Sequence, residues 1–95
     1  MQSLIEPKVT TLYPDTKGYT GFSIFVWQVE LERDWGRVRA FVLEGRYYVQ
    51  GVLLDTQWMA NENERFVMNF HDELFKEWKI RMDEVTTLSE DEKPN

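Results

Sequence analysis

The chain of 95 residues has no cysteine, only three prolines and one histidine. Without cysteine there is no disulfide framework and no thiolate metal site, and the composition suits a reducing compartment; a cytoplasmic location is the expectation. Long apolar runs are missing too. None is longer than the run Ile24 to Trp27, which falls far short of the ~20 residues that a membrane helix needs. Residues Met1 to Thr11 show no basic region leading into a long apolar core, so no signal peptide is expected. Glycine is sparse: Gly18, Gly21, Gly36, Gly45 and Gly51 are spread singly, which leaves no glycine-rich phosphate loop. The serines, Ser3, Ser23 and Ser89, stand in a terminus, a strand and a tail, none of them a nucleophile elbow.

The lone histidine, His71, needs converging partners to hold a metal. On a helix these would stand three or four residues away, where the chain has Val67, Met68, Leu74 and Phe75. His71 therefore reads as a packing residue at the border of an apolar stripe. The absences together predict a protein that is not an enzyme and has no cofactor, no metal and no membrane partner.

What is present is enough for one core. Hydrophobic residues make up 42% of the chain and aromatics 15%. The net charge is −6, and residues 1–53 are neutral, so all of it sits in residues 54–95. An acidic half works against nucleic-acid backbones, whose binding rests on Lys and Arg neutralising phosphates. Its plainest role is solubility.

The first half reads as strands. Lys8 to Tyr13, bracketed by Pro7 and Pro14, suits a short edge strand. Pro14 to Gly18 carries turn chemistry. From Tyr19 to Glu32, Phe25, Trp27, Val29 and Leu31 alternate with Gln28, Glu30 and Glu32, which predicts one buried and one wet face. Phe22, Ile24 and Val26 make the start of this strand apolar on both sides. Arg33-Asp34-Trp35-Gly36 predicts a hairpin turn with Gly36 at positive φ. Arg37 to Leu43 reads as the next strand, Glu44-Gly45 as a second tight turn, and Arg46 to Leu54 as a third strand interrupted by Gly51. Asp55 to Ala60 reads as a connector, or with Trp58 and Met59 as an early helix start.

Then the period changes. Val67, Phe70, Leu74, Trp78 and Met82 recur at three- and four-residue spacing, predicting an amphipathic helix from about Glu62 to Asp83. Asn61 and Glu64 are spaced as a capping box. The predicted architecture is α+β: an antiparallel β-meander of three to four strands with one C-terminal amphipathic helix packed on one face. Residues 1–85 form the single small domain, and residues 86–95 an acidic flexible tail.

For function, the expectation is a non-enzymatic small acidic protein-binding domain: an accessory, regulatory or inhibitor protein. It would act through an aromatic and apolar sheet face or through the acidic helix. Since one helix covers one face, the other should expose a patch built from Phe22, Ile24, Trp35, Phe41 and Tyr48, with Arg37 and Arg39 beside it. The partner would be another protein or a second copy in a homodimer. An alternative is a nucleic-acid-binding sheet using the Arg33–Tyr48 hairpin, where Arg33, Arg37, Arg39 and Arg46 interleave with aromatics; the ordinary reading of that hairpin is a wet face of cross-strand ion pairs. A second alternative is a nucleic-acid-mimicking inhibitor using the acidic helix, although Arg65, Lys76, Lys79 and Arg81 interrupt its charge. A third is a small-ligand pocket lined by Trp27, Phe70 and Trp78, residues that serve equally well as core.

Overall fold

The computed structural model describes residues 6–13 and 20–92, with residues 85–92 described by their backbone alone. Four strands run β1 (Val9–Tyr13), β2 (Gly21–Arg33), β3 (Gly36–Val49) and β4 (Val52–Asn61), followed by helix α1 (Glu64–Glu92). Every neighbour pair is antiparallel and the order is β1-β2-β3-β4, a meander with the helix on one face. This is the α+β architecture predicted.

Two turns organise the sheet. Asp34 and Trp35 close the β2–β3 hairpin between the paired residues Arg33 and Gly36, with Gly36 at φ 132°, a conformation that suits only glycine. Gln50 and Gly51 close the β3–β4 hairpin between Val49 and Val52. Both have positive φ, 50° and 80°, the geometry whose twist matches that of the flanking strands. Glu44-Gly45 is not a turn. β3 runs straight through it as one strand of 14 residues.

Gly45 is there for space. A Cβ added to it would lie 2.9 Å from Leu74 Cδ2 and from two ring atoms of Trp78. The helix sits directly on the backbone at this point, a close approach that a turn signature and a packing signature share in sequence. With the turn displaced to Gln50-Gly51, residues Asp55 to Ala60 become part of β4 rather than a connector, and Trp58 and Met59 are strand residues. The Pro14–Gly18 turn falls outside the described residues.

The helix starts at Glu64, one residue after its cap. Asn63 Oδ1 accepts from the backbone N–H of Arg65 and Phe66 at 3.0 and 3.4 Å, while Asn61 Oδ1 accepts from Asn63 N–H at 2.8 Å. The cap is therefore Asn63 rather than Asn61. The helix also runs past Asp83 to Glu92, so the segment read as a tail begins within it; residues 93–95 lie outside the described residues.

Val67, His71, Leu74, Trp78 and Met82 are the buried helical positions, and Phe70 is half-buried at the margin. They meet Phe22, Ile24 and Val26 of β2 and Phe41, Leu43 and Tyr47 of β3. Trp78 is the hub: its ring contacts Phe22 at 5.6 Å and Tyr47 at 5.7 Å, both edge-to-face. Among the described residues, its Nε1–H finds no hydrogen-bond acceptor.

Candidate functional site: the open face of the sheet

The helix decides which face of β2 is inside. Phe22, Ile24 and Val26 lie beneath it, fully or almost fully buried, and so does Phe41 across from Gln28. This corrects the expected patch: Phe22, Ile24 and Phe41 belong to the core and are not available to a partner. Both faces of β2 are apolar at its start, so alternation could not say which one the helix would choose. The side expected to be buried, Phe25, Trp27, Val29 and Leu31, instead forms the open face, and each of these residues is half-buried.

Register builds the rest of that face. Directly paired residues of antiparallel strands point the same way. Trp27, Val29 and Leu31 pair with Val42, Ala40 and Val38 on β3, and Val42 pairs in turn with Ala60 on β4. The Phe25 and Trp27 rings lie 5.7 Å apart, one continuous aromatic surface along β2. Trp58 of β4 is 60% exposed beside them. Among the described residues, no element covers this face. Near its end a depression of about 490 Å³ is lined by Leu31, Ala40 and Ala60, with Arg33, Asn61 and Glu62 at its rim.

One ion pair interrupts the apolar surface. Glu44 stands between Phe25 and Trp58 in the register and is only 8% exposed. Arg46 donates to its Oε2 from Nε and Nη2, at 3.1 and 2.8 Å. The bond to Glu44, helped by Tyr48, holds the Arg46 guanidinium above its usual range. Tyr48 is half-buried and shares this face, through its pairing with Gly21 and Leu53. Of the residues expected to bind a partner, Tyr48 is thus the one placed on the open face of the sheet body. Trp35 stands at the hairpin tip, 76% exposed.

The arginines separate. Arg37 and Arg39 pair with Glu32 and Glu30 on the helix side of the protruding hairpin, and Arg37 Nη2 lies 3.9 Å from the Glu32 carboxylate. Arg46 is on the opposite face. The hairpin does not gather its cations and aromatics onto one surface. The expected pocket residues separate as well, since Trp27 is on the open face while Trp78 is in the core beneath the helix.

His71 joins β1 to the helix. Its Nδ1 lies 3.0 Å from an Asp72 carboxylate oxygen and its Nε2 lies 2.8 Å from Thr11 Oγ1. A carboxylate only accepts, so Nδ1 carries the proton, and in the neutral ring Nε2 accepts from the Thr11 hydroxyl. Among the described residues, no group of three or more His, Cys, Asp or Glu side chains could hold a metal, and no helix is long and apolar enough to cross a membrane.

No family model matches the chain, and no curated protein or solved structure matches it.

Proposed function

We propose that the protein is a non-enzymatic binding module that docks another protein on the open face of its sheet. The observation that carries this reading is the apolar surface of Phe25, Trp27, Val29, Leu31, Val42 and Trp58, which no other described element covers. Contiguous apolar surface left open to solvent marks interaction sites on folded domains. Aromatic anchors surrounded by smaller side chains are the usual composition of such contacts. The depression at Leu31, Ala40 and Ala60 offers a place for an inserted side chain. Glu44 is buried and already neutralised by the exposed Arg46, so the carboxylate adds no unpaired charge to this surface.

The test is affinity capture from the native host with three baits: wild type, Trp27→Asp, and Lys76→Ala on the exposed side of the helix. The reading expects a defined protein retained by wild type and Lys76→Ala and lost with Trp27→Asp, all three baits showing the same circular dichroism. Identical captures by all three folded baits contradict it.

A further inference from the structure

The two edges of the sheet are unlike. β1 is five residues long and follows Pro7 and Lys8, the devices that keep an edge from pairing. β4 is ten residues long, VLLDTQWMAN, with no proline, no lysine and no arginine. Val52, Leu53, Leu54 and Trp58, all on this strand, are exposed. Its one charged residue, Asp55, is already held by Arg81 at 3.1 Å and by Gln57 at 3.3 Å. A long, apolar edge of this kind offers a row of backbone donors and acceptors to another strand.

We infer that β4 pairs antiparallel with β4 of a second copy, joining two four-stranded sheets into one of eight strands. This rests on the edge and not on the open-face reading above. Three features favour a second copy as the occupant. First, a two-fold axis perpendicular to the sheet makes the contact self-complementary and closes it at two chains. An axis beside Gln57 sets Thr56 of each copy opposite Trp58 of the other, and Asp55 opposite Met59, so the only carboxylate of the strand never meets its own copy. Second, the helices do not collide. Each lies over β3 at Gly45, so the two are separated by three strand spacings, about 14 Å, more than the 8–10 Å of packed helices. Third, both open faces end on the same side and merge into one surface, with the Trp58 rings at its centre.

The seam also carries a charge signature. A groove of about 310 Å³ between α1 and β4 is lined by Glu73, Glu77, Gln57, Phe70 and Leu74. Pairing brings the Glu73 and Glu77 carboxylates of both copies along one groove, and each chain carries −6. Salt screens that repulsion, so the dimer tightens as ionic strength rises.

The test combines sedimentation equilibrium with backbone hydrogen exchange over a range of protein concentrations. The pairing expects a monomer–dimer equilibrium strengthened by salt, with protection of amides in Val52–Asn61 that grows with concentration while β2 amides stay unchanged. Thr56→Lys, which gives β4 the edge lysine that it lacks, raises the dimer dissociation constant on the order of tenfold; Trp27→Asp, on the open face away from the edge, leaves it unchanged. Should Thr56→Lys fail to fold by circular dichroism, the wild-type exchange pattern decides. A monomer at all concentrations up to about 1 mM overturns the inference, a ceiling at which only contacts weaker than about 4 kcal/mol escape notice. So does a dimer that Trp27→Asp abolishes and whose β4 amides exchange as in the monomer, which marks face-to-face docking instead.

Discussion

Gly45 is the residue on which the layers depend. Nothing but hydrogen fits between β3 and the helix at that point, because Leu74 and Trp78 already stand at the limit of contact. Gly45→Ala should lower stability by about 1–3 kcal/mol, the range for overpacking a well-filled core. Chemical denaturation measures it; an unchanged midpoint would mean that the helix is not seated there. Tyr47 makes a second prediction at this scale. Burial pushes its phenol above the ordinary value, Arg81 above the ring pulls it down, and Asp83 and Glu84 push it up again. A raised folded value means that the native state holds the proton longer than the unfolded chain does. The stabilising contribution is complete below the unfolded value of about 10 and is lost as pH climbs through the folded one. Melting temperature should therefore fall above about pH 10, and Tyr47→Phe should flatten that fall. An identical slope in both proteins would count against it.

Among the elements, the helix was the most legible. Its buried positions repeat at three and four residues because one side of a 3.6-residue spiral faces the sheet. Leu74→Ala should accordingly lower stability by about 2–5 kcal/mol, and Lys76→Ala by under about 0.5 kcal/mol; equal melting temperatures would remove the stripe. The β2–β3 hairpin was legible too, since Asp34 and Gly36 are residue types that tight turns favour and are flanked by alternation. Two features were not. Glu44-Gly45 looks like a turn because glycine serves tight turns and close packing alike, and a local reading cannot see a tryptophan arriving from 33 residues later. The facing of β2 was hidden because Phe22 to Trp27 is apolar on both sides, so the choice belongs to the helix. That choice places Ile24 in the core with no exposure. An aspartate there would bury a charge and unfold the protein, whereas the corresponding open-face change, Trp27→Asp, should leave it folded.

The whole molecule is thin and long. Its radius of gyration is 16.6 Å, against about 12 Å for a compact domain of this length, and its shortest dimension is 18 Å. That thickness is one sheet and one helix, and among the described residues no layer covers the second face of the sheet. The same aromatic and aliphatic alternation that suggests a buried face in sequence is found on the open face, the surface on which the proposed docking rests. Oxidative footprinting of the tryptophans, in the free protein and with the captured partner added, tests this most directly. The account predicts that Trp27 and Trp58 react in the free protein and become protected on binding, while Trp78, buried beneath the helix in both states, stays unreactive. Trp27 and Trp58 that stay as reactive with the partner bound as in the free protein would contradict it.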